Sequence, residues 1–175
     1  MKVYLVRHGQ CDSNVIGRYN FLDEDKNETG IRQAEELGKK IKDINYDIVI
    51  SSPMVRALHT AQIINVNNKE IITDERLQER NPGSLEGKAT SDTDREEFWN
   101  YYTDVKYGTE ERIPHLCNRI KEFLDELKLK DFKSVLIVAH SGVSKAFNVY
   151  FNGIPEDGKM LNLGLKNAEV KEYEF

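Results

Sequence analysis

The sequence predicts an α/β fold, a three-layer sandwich with a mostly parallel central sheet flanked by helices. Two observations carry that expectation. Apolar runs of strand length alternate with stretches of helical period along the chain. The clearest run, SVLIVA at 134–139, is apolar without alternation, as a strand covered on both faces must be. A chain that repeats strand and helix in this way returns its strands in one direction.

The elements follow in order. Lys2–Val6 is a short apolar strand. Asn27 is a good N-cap for a helix whose apolar positions, Ile31, Ala34, Leu37, Ile41 and Ile44, keep helical spacing. Residues 46–50 are β-branched and apolar, a second strand. Ser52 and Pro53 then suit the cap and first position of a helix. Glu70–Thr73 is a weaker strand. The aromatic and acidic stretch 92–107 is expected to be helical. Ile113, Leu116, Ile120, Leu124 and Leu127 mark a long amphipathic helix. After 134–139 a helix runs from about Gly142 to Tyr150, and 168–175 is an edge strand with poor alternation.

Composition narrows the function classes. A chain of 175 residues can bury a real core as one domain, 1–175, in which residues about 80–108 form a small lid. The net charge of −5 argues against nucleic acid or an anionic membrane as partner, though a local basic pocket can still take an anionic small molecule. Cys11 and Cys117 make neither a disulfide scaffold nor a zinc pair, so a reduced cytoplasm is the expected location. The apolar run Val3–Val6 is too short for a signal peptide, and no stretch has the length of a membrane span. A monomer or homodimer without cofactor or metal is expected.

Chemistry gathers at three strand ends. Arg7 and His8 follow the first strand, Arg56 opens the helix after the second, and His140 follows 134–139. In a parallel sheet these ends share one edge, where ligands bind and helix N-termini supply N–H donors. Two arginines and two histidines there suit a compact, multiply charged anion, and a phosphate monoester best of all.

The chain resembles the histidine phosphatase superfamily, the phosphoglycerate-mutase-like fold, in four ordered motifs. They are Arg7-His8-Gly9-Gln10 with Asn14; SSPMVRALHTA at 51–61; Leu77 and Glu79 with Gly83 and Glu86-Gly87; and His140 in AHSGV. The resemblance implies that His8 is the nucleophile that becomes phosphohistidine. It implies that Arg7, Arg56 and His140 hold the phosphoryl oxygens, and that Glu79 protonates the leaving oxygen and then helps activate water. Asn14 and Ser141 are further substrate contacts on the same grounds. Neighbouring arginines favour the neutral, nucleophilic histidine. Cys11 stands where the family usually has serine or threonine, Ser141 where it usually has glycine, and His59 where it usually has glutamine.

Other residues have plainer explanations. His59 suits a packing role, His115 a structural one, and Gly30 a close contact between elements. Arg18, Arg80 and Lys145 can touch substrate but are more often solvated. Phe98, Trp99, Tyr101 and Tyr102 suit a lid or a core equally. The leading function is a metal-independent phosphomonoesterase for a small metabolite. A phosphoglycerate-type mutase is the nearest rival, but the chain lacks the longer insertions those enzymes carry over the site. A protein phosphohistidine phosphatase is disfavoured by the acid-bearing LQERNPGSLEG stretch. A non-catalytic phosphate-binding module would be expected to have lost one of the groups present here.

Overall fold

A computed structural model describes residues 1–175. In chain order the elements are β1 (Lys2–Arg7), α1 (Asp12–Val15), α2 (Glu28–Ile41), β2 (Ile48–Ser51), α3 (Val55–Ile64), β3 (Ile71–Thr73), α4 (Arg95–Phe98), α5 (Ile113–Leu127), β4 (Ser134–Ala139), α6 (Ser141–Asn152) and β5 (Val170–Glu174). The sheet order is β3-β2-β4-β1-β5. Four strands are parallel, and β5 closes the edge antiparallel to β1.

The expected three layers are present because each central strand sends alternate residues to opposite faces. Val3, Leu5, Ile48, Ile50, Val135 and Ile137 pack with α5 and α6 through Leu116, Ile120, Leu124, Val143 and Phe147. Val6, Val49, Leu136 and Val138 pack with α2 and α3 through Ala34, Leu37, Ile41, Ala57, Ala61 and Ile64. Every residue of β4 is buried, which explains its unbroken apolar run.

Asn27 caps α2 as expected, its side chain accepting the Gly30 N–H at 2.9 Å. Two details of that helix differ from the sequence reading: Ile31 is exposed, and the helix ends at Ile41, leaving Ile44 beyond it. Gly30, buried in the first turn, makes the close contact expected of it. Gly30 lies against the loop after β1: a Cβ there would fall 2.2 Å from the Gln10 carbonyl oxygen, and one on Gly9 would fall 2.3 Å from the Gly30 carbonyl oxygen. Only two glycines allow this approach, and it fixes α2 beneath the loop that carries His8.

The expected helix over 92–107 shrinks to the single turn of α4. Asp94 caps it well, accepting from Glu96 and Glu97. The chain is then drawn into backbone pairing with 158–160: Tyr101 N–H donates to Gly158, and Met160 N–H donates to Trp99. Those bonds satisfy the backbone in place of further helical turns. No helix is long and apolar enough to cross a membrane.

Candidate active site

The parallel ladder continues one residue beyond the strands, and this aligns the site. His8 N–H donates to the Ala139 carbonyl at 3.0 Å, and Ser52 N–H donates to that of Val138 at 2.9 Å. His8, Ser52 and His140 therefore stand side by side at the carboxyl edge of β1, β2 and β4. The two imidazoles meet edge to face, with ring centroids 5.1 Å apart.

Both histidines are buried, His8 at 1% exposure and His140 at 0%. His8 Nδ1 lies 2.7 Å from the Gly9 carbonyl oxygen. A carbonyl can only accept, so Nδ1 carries the proton and Nε2 bears the lone pair. His140 Nε2 is 2.8 Å from Ser52 Oγ, while its Nδ1 is buried without a partner. Burial first, then the Arg56 charge, hold both rings well below the usual histidine range; Arg7 adds to the effect on both, and His8 on His140.

Ser52 does not cap a helix, contrary to the sequence expectation. α3 begins at Val55, and its N-cap, Met54, makes no side-chain cap bond. The serine hydroxyl faces His140 instead and also accepts the Met54 N–H at 3.3 Å. A Ser-Pro pair resembles a helix start, but here the chain needs two more residues to leave the sheet edge.

Arg7 and Arg56 enter from β1 and α3. Arg7 donates to the Leu165 carbonyl at 2.9 Å. Arg56 donates to the Phe21 carbonyl at 3.0 Å, with the Leu22 and Glu24 carbonyls at 3.4 and 3.3 Å, so it also pins the 21–24 loop. The Nε atom of each is buried without a partner. Burial lowers both from the usual arginine range and the Glu79 carboxylate opposes that shift. Glu79 is held by backbone donors: Gly142 N–H approaches its two oxygens at 2.9 and 3.1 Å, and its own neighbour's amide, Arg80 N–H, reaches Oε1 at 2.8 Å. The Gly142 amide belongs to the first turn of α6, which ties the proposed acid to the segment after His140.

A cavity of about 340 Å³ opens above these groups. Of the residues expected at the site, Arg7, Asn14, Arg56, Glu79 and Ser141 line it. His8 and His140 are not among the lining residues and lie buried beneath them. The lining also includes Arg18, Arg80, Arg95 and Lys145, with Glu79 as its single carboxylate. This concentration of cations in a chain of net charge −5 marks the cavity as an anion site.

Asn14 is engaged on both ends of its amide. It donates to Asn20 at 3.0 Å, and its oxygen accepts from Cys11 N–H at 3.0 Å and Asn167 at 3.2 Å. Asn20 and Asn167 both line the cavity, and nothing local in the sequence marks either. Asn167 also donates to the His8 carbonyl at 3.1 Å, so the segment before β5 completes the site.

Arg80 and Lys145 correct the expectation of solvated charges, being only 4% and 3% exposed; Arg18 is exposed as expected. Arg80 stacks over Phe98 and Trp99, 4.2 and 4.9 Å from their centroids, and donates to the Glu111 and Phe98 carbonyls. Phe98 and Trp99 line the cavity and are also core, whereas Tyr101 and Tyr102 do not line it. Cys11 is turned away from the cavity, its sulfur 3.8 Å from both His8 Nδ1 and the Gly9 carbonyl; burial pushes its thiol up to about 12. His59 pairs with Asp25 at 2.7 Å and His115 with Glu111 at 2.6 Å, both outside the cavity.

Known proteins match along nearly the whole chain. The family model of the histidine phosphatase superfamily (branch 1) matches residues 3–175. Phosphoserine phosphatase 1 of Hydrogenobacter thermophilus is 29% identical, over 96% of this chain and 83% of its own. A 2,3-bisphosphoglycerate-dependent phosphoglycerate mutase of Cytophaga hutchinsonii is 31% identical, over 98% of this chain and 86% of its own. Among solved structures, YhfR of Bacillus stearothermophilus superposes with a TM-score of 0.85 at 28% identity, covering 99% of this chain and 90% of that one.

Proposed function

Since the chain belongs to the histidine phosphatase superfamily, branch 1, we propose that it hydrolyses a small phosphorylated metabolite through a phosphohistidine on His8, with Glu79 as proton donor. The observation that carries this reading is the 2.7 Å bond from His8 Nδ1 to the Gly9 carbonyl. It fixes the tautomer whose Nε2 can attack phosphorus, and the depressed basicity of His8 keeps that lone pair free at neutral pH.

In the first step Nε2 of His8 forms a bond to phosphorus as the ester P–O bond breaks. Arg7, Arg56 and the unpartnered Nδ1 side of His140 hold the phosphoryl oxygens, with Asn14 and Ser141 as further contacts. Glu79 gives its proton to the departing alkoxide. In the second step water attacks phosphorus, the N–P bond breaks, and Glu79 takes the proton from that water. Residues 80–108 act as a lid, Phe98 and Trp99 covering the leaving-group side. The single carboxylate among so many cations offers no seat for a divalent metal, so none is assigned a role.

The test is rapid acid-free quenching after mixing with ³²P-labelled substrate. Base-stable, acid-labile label is expected on the wild type and absent from His8→Ala; label retained in that variant overturns the assignment. The likeness to a mutase supports a second reading. Phosphoglycerate supplied with a trace of the bisphosphate separates the two: inorganic phosphate is the product of hydrolysis, the isomeric phosphoglycerate that of a mutase.

A further inference from the structure

We propose that Lys145 is the specificity residue of this pocket, its ammonium taking a carboxylate that the substrate carries on the carbon next to the ester-bearing one. The proposal deepens the phosphomonoesterase reading and rests on it for the position of the phosphoryl group.

Lys145 sits on the second turn of α6, 3% exposed yet part of the cavity lining. Its Nζ donates to Ser141 Oγ at 2.9 Å and lies 4.5 Å from the Trp99 ring centroid. An ammonium has three hydrogens, and this hydroxyl is its one hydrogen-bond partner. Glu79 is the carboxylate that acts on it most, but Glu79 is tied to backbone amides and forms no ion pair with it. A buried cation without a counter-ion is costly, and an apolar side chain of the same length would fill the space without that cost. An anion that enters the cavity supplies the missing partner.

Position selects the kind of anion. Ser141 directly follows His140, and the next amide, Gly142 N–H, holds Glu79. Lys145 thus shares a helix with the amide that holds Glu79, and Glu79 is the carboxylate that acts on it most, so on the proposed mechanism Lys145 belongs with the leaving-group end of the substrate. The corner is closed by Trp99 and by the backbone of Gly164, where a Cβ would fall 2.5 Å from Nζ. A flat, two-oxygen carboxylate suits a corner made of one ammonium and one hydroxyl. The guanidinium forks that match a second phosphate are on other side chains of the lining, Arg18 and Arg95 among them.

The protonation of Lys145 supplies an independent signature. Burial lowers it to about 7; Glu79, on the loop after β3, opposes this, while Arg7 from β1, Arg95 from α4 and Arg80 reinforce it. A bound carboxylate favours the ammonium form, so binding above pH 7 draws in a proton.

The experiment is calorimetric titration of the His8→Ala protein at pH 8 in two buffers of different ionisation enthalpy. The probes are 3-phosphoglycerate and glycerol 3-phosphate, which share skeleton and phosphate and differ in the carboxylate. Expected are at least tenfold tighter binding of 3-phosphoglycerate and a larger proton uptake, both erased by adding Lys145→Met or, should that variant not fold, Lys145→Gln. Equal affinity for the two probes, no binding of either, or a preference that survives both Lys145 variants overturns the proposal. Failure of the phosphatase reading is a different result: no phosphohistidine or released phosphate from the wild-type protein, whatever the titrations give.

Discussion

Ser52 Oγ and His140 Nε2 are joined across two strand ends at 2.8 Å, which leaves the opposite nitrogen of the ring, Nδ1, unpartnered in the buried site. On the proposed mechanism the hydroxyl thereby sets how His140 faces the phosphoryl group. Ser52→Ala removes this restraint while keeping the backbone bond to Val138. A neutral hydrogen bond contributes about 0.5–1.5 kcal/mol, so kcat/KM is expected to fall roughly two- to tenfold. Steady-state hydrolysis of p-nitrophenyl phosphate measures it; an unchanged value would mean that the ring is held by packing alone.

The two buried histidines make stability depend on pH with a definite sign. Their folded-state values lie well below the ordinary 6.5, so below 6.5 the unfolded chain binds more protons than the native one. Stability is therefore full above about pH 6.5 and declines on acidification, by up to about 1.4 kcal/mol per pH unit for each ring. Denaturant unfolding at pH 7.5, 6.0 and 5.0 should show the midpoint falling. His140→Gln should flatten the slope.

Gly30→Ala offers a test in which two effects oppose each other. Alanine gains about 1 kcal/mol of helix propensity over glycine. Here its Cβ would lie 2.2 Å from a carbonyl oxygen of the His8 loop. Overpacking of this kind costs about 1–3 kcal/mol or more, and the obstacle is backbone, so the variant is expected to lose stability and activity together. A more stable Gly30→Ala protein, by thermal melting, would contradict the close approach.

Glu79→Gln keeps an oxygen to accept the Gly142 N–H but has no proton to give. General acid catalysis contributes about 10²–10⁴-fold. A loss of that order is expected in the phosphorylation step with alkyl phosphates, and a much smaller one with p-nitrophenyl phosphate, whose leaving group departs unaided. Single-turnover kinetics is the proper measurement, because the proposed mechanism also uses Glu79 in the water step. Equal losses on both substrates would transfer the acid role elsewhere.

Metal removal should leave activity intact. Dialysis against EDTA, followed by assay with and without added magnesium or zinc, decides it. A chelated enzyme that regains activity with one metal would refute the assignment of the chemistry to His8 and Glu79.

The deep part of the site was legible because its residues lie in contiguous motifs at strand ends. The unbroken run 134–139 located His140, and the motif 51–61 located Arg56 on the right helix. Ser52 was misread because its role depends on the neighbouring strand, β4, eighty-odd positions away in the chain, rather than on the helix that follows it. Arg80 and Lys145 looked like surface charges because what buries them is not local: Phe98, Trp99 and the Glu111 carbonyl around Arg80, and Trp99 over Lys145. Asn167 carries no motif at all, and only the antiparallel return of β5 brings it beside His8. The helix expected over 92–107 failed for a similar reason, since pairing with 158–160 outcompetes local propensity.

The placement of β1 also bears on how the chain reaches its native form. Its neighbours in the sheet are β4 and β5, with Lys2 beside both Ser134 and Glu174. During synthesis the strand that carries Arg7 and His8 has no edge to join until nearly the whole polypeptide has been made. Most of its contacts close very long loops, which slows folding. The α2–β2–α3 region can form early, but the proposed nucleophile is installed last. A nascent or truncated chain ending before β4 would therefore hold an apolar strand, VYLV, unpaired and available to chaperones or to other chains.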